Sequence, residues 1–398
     1  MKFVHDRPVL TVTLCALAFH GLFLYAYGPI ESPDSSRYIE GADKLIEANF
    51  NLRAIFRDPE PGVLVSYFNF TFLVALAKLI FGDWWKPAIA LANLGFTAGA
   101  GALALTMLRR ATGNHLAVLG AGIFFIFSVD AFMWAKFILT DSSFLFVVIF
   151  FLYAAFSIRP PDGEPPNPSL GWRLALPAVL IASLFHRPTG VVLIPLLAVA
   201  LVSYPFLFGE TPDRRRGRLR MYFAVLGLAG IVAAVAFSYL MLLPDTELHP
   251  NYSNMLAKSR KFYEMGIVIY ARPYTFIEVE PGVGSYLYLI WVRFLYFFSI
   301  VLKGYSLKHT LFNMIFYTPL YTLAAIGIFQ IFRTGSRLSP RHRWLVFLCT
   351  NFILFFAMFS ALTLIDFDHR YRVPCIPPLV VLAGAGIHAI LGSRRLTG

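Results

Sequence analysis

The sequence predicts an all-α polytopic membrane protein: a bundle of about 10 transmembrane helices, with interfacial helices in the first outer loop. Composition is the first observation behind this. Of 398 residues, 58% are hydrophobic and 14% charged, and the mean hydropathy is +0.66, far from the balance of a water-soluble domain. The second is the set of long apolar runs Val9–Tyr27, Pro87–Leu108, Leu116–Ala131, Met221–Leu243, Leu311–Phe332, Trp344–Leu364 and Pro374–Leu391. At 1.5 Å per residue such runs cross roughly 30 Å of hydrocarbon as helices.

The third observation is where the basic residues fall. Val63–Phe81 and Tyr286–Leu302 are also apolar, and counting both as spans scatters the arginine clusters over both faces of the membrane. Leaving both at the interface puts every compact basic loop on one side: roughly 17 Lys/Arg against about 5 acids inside, and roughly 17 of each outside. That arithmetic accounts for the net charge of +12 as orientation rather than nucleic-acid binding. Both termini are then cytoplasmic. Asn69 and Lys78 in the first demoted segment, and Arg293 in the second, suit helices lying at the headgroups.

In chain order, the first run starts after Lys2 and Arg7 and lacks a small-residue cleavage site before Glu31, so it reads as a retained anchor. The outer loops are then 28–86, 130–142, 244–310 and 366–373, with a turn near His186–Gly190. The whole chain, 1–398, is expected to form one domain with no separate soluble one. Gly95-Phe96-Thr97-Ala98-Gly99 reads as a small-residue packing face. Cys15, Cys349 and Cys375 have neither disulfide nor metal spacing. Arg214 to Arg220 reads as an inner, lipid-facing topological cluster.

Three polar constellations share the outer face. In Pro33-Asp34-Ser35-Ser36-Arg37-Tyr38, the proline ends regular structure and a helix of about Ser36 to Ala48 follows along the membrane. Asp34 there either caps that helix or is a fixed base at the bilayer edge. Asp141, in Leu139-Thr140-Asp141-Ser142, has the same two readings. The third is Asp366-Phe367-Asp368-His369-Arg370-Tyr371-Arg372-Val373-Pro374, whose arginines offer planar forks for phosphate oxygens. His186-Arg187-Pro188 adds further cationic groups. No His/Cys/Asp/Glu spacing amounts to a metal site, so no cofactor is assigned and a divalent metal is left open.

Taken together, these motifs resemble the C-type glycosyltransferase superfamily, the polyprenyl-phosphate-sugar-dependent membrane enzymes that include protein O-mannosyltransferases and lipid A aminoarabinose transferases. The similar features are the acid after the first span (Asp34), the Pro59, Pro61 and Gly62 approach to a helix ending at Phe81-Gly82, the Leu139-Thr140-Asp141-Ser142 motif, and Arg370-Tyr371 leading into Pro374 and Pro377-Pro378. The resemblance implies that Asp34 takes the proton of an acceptor hydroxyl while Asp141 helps position acceptor or base. It also implies that Arg370, with Arg187 and Arg372, holds the donor phosphate, supported by Tyr38, Tyr371, His369 and His186. The partners it implies are a polyprenyl-phosphate sugar donor, an acceptor glycan, lipid or protein, and membrane lipid. The site would face outward from a cell membrane, as in a bacterial inner membrane. The sequence departs from larger members by ending soon after the Arg-Tyr loop. A lipid-linked-sugar flippase or transporter, and an O-antigen-type polymerase or ligase, are the rival readings. A flippase would place ionisable residues in mid-span, whereas here they gather at the ends of runs and in loops.

Overall fold

In the computed structural model, residues 7–52, 66–158, 170–208, 212–242, 259–270, 272–302, 304–332, 338–363 and 367–394 are described. Pro59, Pro61, Gly62, most of the inner loop 159–173 and the start of the long outer loop at 244 lie outside these residues. The described chain is helical, with one isolated parallel bridge between Ile30 and Phe137. Among the described residues, six helices are long and apolar enough to cross a membrane, and a seventh candidate is a pair bent by 54°.

The chain divides into two compact units. The first comprises 1–204, 319–352 and 373–398. It opens with α1 (Pro8–Tyr27), 20 residues whose length matches about 30 Å of hydrocarbon. The amphipathic α2 (Ser35–Glu47) follows, within a residue of the expected span. After α3 (Phe68–Phe81) and a tight turn at Gly82–Trp84 comes α4 (Trp85–Thr112). Next are α5 (His115–Ile126), capped by Asn114, whose side chain accepts from the amides of Leu116 and Ala117, and the short α6 (Val129–Met133). They lead to α7 (Asp141–Ser157), α8 (Leu170–Leu184) and α9 (Leu193–Phe208).

α3 has 14 residues, about 21 Å of helix, which is short of the hydrocarbon thickness. Its Phe70, Val74 and Ala77 pack on Tyr38, Ala42 and Leu45 of α2, each set spaced at helical intervals, and Ile138 and Leu139 complete the cluster. Asn69 and Lys78 of this segment also have local roles. Lys78 Nζ lies 2.5 Å from Asp43 of α2, and Asn69 Nδ2 donates to the Ala182 carbonyl at 2.8 Å.

α4 is the central helix, in contact with α1, α3, α5 and α7. The expected small-residue face is used in part. Thr97 and Ala98 are buried and a Cβ on Gly99 would lie 3.0 Å from Phe146 of α7, whereas Gly95 is exposed with open space beside it; the buried stripe runs on through Gly101 and Ala104. The tightest crossing is between α12 (Leu307–Phe329) and α14 (Ile376–Arg394). A Cβ on Gly386 would lie 2.1 Å from the Leu323 carbonyl oxygen, and one on Gly327 2.3 Å from that of Leu382. Only glycine allows the backbones this close.

The second unit comprises 205–318 and 353–372. It contains α10 (Pro212–Leu242), which continues through the arginine cluster, and α11 (Val283–Phe297), with part of α12 and the later half of α13 (Pro340–Leu362). Arg293, the cation that marks α11 as a headgroup helix in the sequence, is enclosed by protein rather than exposed. It is fully buried, donating Nε to the Ile267 carbonyl at 2.7 Å and Nη1 to that of Thr363 at 3.3 Å, with Tyr263 stacked 4.5 Å away. The loop carbonyls and the aromatic face solvate a cation that a lipid-facing helix would have sent to the surface.

Candidate active site

In the first unit, main-chain bonds bring the first two constellations together. The Ile30 amide donates to the Lys136 carbonyl at 2.8 Å and the Ile138 amide to the Ile30 carbonyl at 3.1 Å. The loop after α1 is therefore laid against the strand-like segment before Asp141. Below the bridge, Lys86 pairs with Glu31, and Lys136 lies 5.0 Å from the ring of Tyr27.

Ser32 and Ser35 close the turn that starts α2. The Ser35 amide donates to the Ser32 carbonyl and the Ser32 amide to Ser35 Oγ, at 2.8 and 2.9 Å. These bonds perform the capping, and Asp34, half-buried at the N-cap position, makes no side-chain cap bond. Tyr38 stands four residues on, one helical turn and about 6 Å along the same face. It is buried, within electrostatic reach of Arg187 and Asp141, and burial pushes its hydroxyl pKa upward.

Asp141 does not cap α7 either. Its Oδ1 accepts a 2.6 Å bond from Arg187 Nη1, both side chains being almost fully buried. Arg187 comes from the turn between α8 and the short 3-10 segment Pro188–Val192, which folds tightly back: a Cβ on Gly190 would sit 2.4 Å from the Ser183 carbonyl. Asn69 holds this turn to the start of α3, its amide donating to the Phe185 carbonyl at 3.2 Å. His186 Nε2 lies 2.8 Å from Ser143 Oγ, with its ring against Phe144 and Phe70. Burial, reinforced by the Arg187 cation, lowers the His186 pKa to about 4.

That depression has a measurable consequence. An unfolded chain binds a proton at His186 near pH 6.5 while the folded chain keeps it neutral down to about 4. Its contribution is present above pH 6.5 and is lost as pH falls through this window, by an amount on the order of 3 kcal/mol. Thermal unfolding in detergent at stepped pH should show a decline that His186→Gln flattens. An unchanged pH slope in that variant would assign the decline to other groups.

The third constellation lies in the second unit, on the 3-10 segment Phe367–Cys375. Arg372 is buried, donates Nη1 to the Ser299 carbonyl at 2.8 Å and stacks 4.0 Å over Tyr317. Arg370 is buried and Tyr371 half-buried. The side chain of His369 lies outside the described residues. Among the described residues, no group of three or more His, Cys, Asp or Glu could hold a metal ion.

Sequence reading singled out Asp34, Asp141 and Arg187 but gave Asn69, Thr140 and Ser143 no part. Thr140 and Ser143 flank the acid in the same motif, and Asn69 is a polar residue in an apolar helix, which was the available signal.

No family model matches the chain, and no curated protein matches it. Among solved structures it is similar to the crystal structure of ArnT from Cupriavidus metallidurans bound to undecaprenyl phosphate, at 17% identity and a TM-score of 0.46, over 97% of this chain and 60% of that one.

Proposed function

We propose that the chain is a membrane glycosyltransferase that moves a sugar from a polyprenyl-phosphate-linked donor to an acceptor hydroxyl on a glycan, lipid or protein. Asp34 accepts the hydroxyl proton, the acceptor oxygen attacks the anomeric carbon from the side opposite the phosphate, and polyprenyl phosphate leaves. The product has inverted configuration. A phosphate leaving group needs its developing charge stabilised more than it needs a proton, so arginine takes the place of a second carboxylic acid.

One observation carries this reading: a carboxylate at the N-cap of α2 that caps nothing, one turn from the Tyr38, Asp141 and Arg187 cluster, at the end of a membrane-length helix. Asp141 and Arg187 orient that end of the site. The assignment of Arg370, with Arg187 and Arg372, to the donor phosphate rests on their sequence pattern. Arg372 is also committed to its own fold, through Ser299 and Tyr317.

For topology, we propose the ten spans of the charge count: six long helices and the bent pair are candidates by length and composition, and the basic-loop arithmetic, not helix length, assigns the shorter α7, α8 and α9 to the bilayer and α3 and α11 to the interface. The termini are then cytoplasmic and the acids outward.

The test is to reconstitute the chain in vesicles with a panel of polyprenyl-phosphate monosaccharides labelled in the sugar. The expected result is cleavage of one donor, release of polyprenyl phosphate and an inverted product. Movement of intact donor across the bilayer without cleavage would overturn the proposal in favour of a flippase. Arg370→Ala should raise the donor concentration for half-maximal rate by about 10- to 100-fold, the worth of a hydrogen bond to a charged group.

A further inference from the structure

At the far end of α4 from the acids lies a second built feature. Asn93 near the start of α4 donates to the Phe137 carbonyl at 2.9 Å, beside the Asp141 segment. Arg109 is 16 residues further on, about 24 Å along the helix. There, between the N-terminal half of α1 and the C-terminal half of α4, is a cavity of about 540 Å³, lined among the described residues by Arg7, Val9, Leu10, Thr13, Ala102 and Arg109. The two helices stay in contact farther along, where a Cβ on Gly21 would meet Leu94 at 3.9 Å.

Its chemistry is divided along its length. Two guanidinium groups, both exposed, stand at one end, and no carboxylate is among the described lining residues. From Arg109 back to Ala102 is about 10 Å of helix, and from Arg7 to Thr13 about 9 Å, walled by Val9, Leu10 and the small Ala102. Thr13 adds no polar demand, because its hydroxyl already donates to the Val9 carbonyl at 2.8 Å. The first turn of α1 contains no acidic residue, so the positive pole of its dipole lies at the same end.

Both arginines are exposed, with their charged heads accessible above the apolar wall. Cationic groups above an aliphatic trough at a membrane-spanning helix pair match a phosphodiester headgroup with an acyl chain beneath it. We propose that this groove binds an anionic phospholipid of the leaflet opposite the candidate active site, with Arg7 and Arg109 on the headgroup phosphate and the acyl chain against Val9, Leu10 and Ala102.

Adjacent arginines make the test specific. Arg109 lines the groove, whereas Arg110 lies 5.3 Å over the ring of Tyr153 and is not part of it. Native mass spectrometry of the full chain in mild detergent, with phosphatidylglycerol and phosphatidylcholine of matched chains, should show preferential retention of phosphatidylglycerol. Arg109→Gln should reduce the preference about fivefold, the worth of one basic residue at an anionic surface. Arg110→Gln, with the same change in net charge, should leave it intact. Ala102→Leu keeps both charges and fills the trough, and should lower retention of either lipid. Equal loss in the two arginine variants would overturn the proposal, reducing it to net-charge attraction. Protection from thermal unfolding by inorganic phosphate matching that by phosphatidylglycerol would also overturn it, as the mark of a soluble-anion site.

Discussion

Asp34→Asn lowers the rate of sugar transfer by about 10²- to 10⁴-fold, the usual contribution of a positioned general base. The substitution keeps the shape of the side chain and one acceptor oxygen, replaces the other oxygen by an NH2 donor and removes the charge and basicity. The turn that starts α2 is closed by Ser32 and Ser35, so the variant should still express and fold. Donor affinity should change little, since the base acts on the acceptor. The measurement is transfer in vesicles at saturating donor, paired with thermal unfolding of the same preparation. Wild-type turnover from Asp34→Asn would remove Asp34 from the mechanism and leave the outer face without an assigned base.

The second large effect is on stability. Asp141 and Arg187 form a 2.6 Å pair in which both side chains are almost fully buried. Removing one partner strands the other charge in a medium that solvates it poorly, at a cost of about 3–5 kcal/mol. Asp141→Asn and Arg187→Gln should therefore each lower the midpoint of thermal unfolding substantially. The double variant leaves no unpaired charge, so it should fall short of the sum of the two, with a coupling of about 0.5–3 kcal/mol. The cycle also separates two roles for Arg187. If its only work is on the donor phosphate, Arg187→Gln raises the donor KM and leaves the unfolding midpoint where it was. Additive losses in the double variant would show that the pair is not energetically coupled.

The membrane-helix architecture was legible because lipid forces helicity on every apolar run, and α1, α4, α12 and α14 fall close to where hydropathy draws them. The amphipathic α2 was legible from Pro33 and from its mix of charged and apolar residues. Asp34 and Asp141 stood out as acids pinned beside apolar runs, but whether they cap was not, because a cap is decided by side-chain direction and the neighbouring serines can substitute. The partnership of Asp141 with Arg187 spans 46 positions; it arises from the packing of α7 on α8, and no local pattern encodes it. The enclosure of Arg293 was not legible for a related reason. A cation inside an apolar run has two solutions, headgroups or buried carbonyls, and only tertiary structure supplies the second. Small-residue spacing likewise located a packing helix in α4 but not how far its buried stripe extends.

The bridge between Ile30 and Phe137 is made by the main chain, and each bridged residue stands four positions before an acid, Asp34 in one case and Asp141 in the other. Side-chain identity at the bridge is therefore under weak constraint, while the number of residues on either side of it is under strong constraint. Mutational drift can exchange the side chains of Ile30 or Phe137 at modest cost. A single-residue insertion or deletion in either short tether shifts one acid against the other, whatever residue is added. Indel tolerance, rather than substitution tolerance, is where this protein's history should show the imprint of its chemistry.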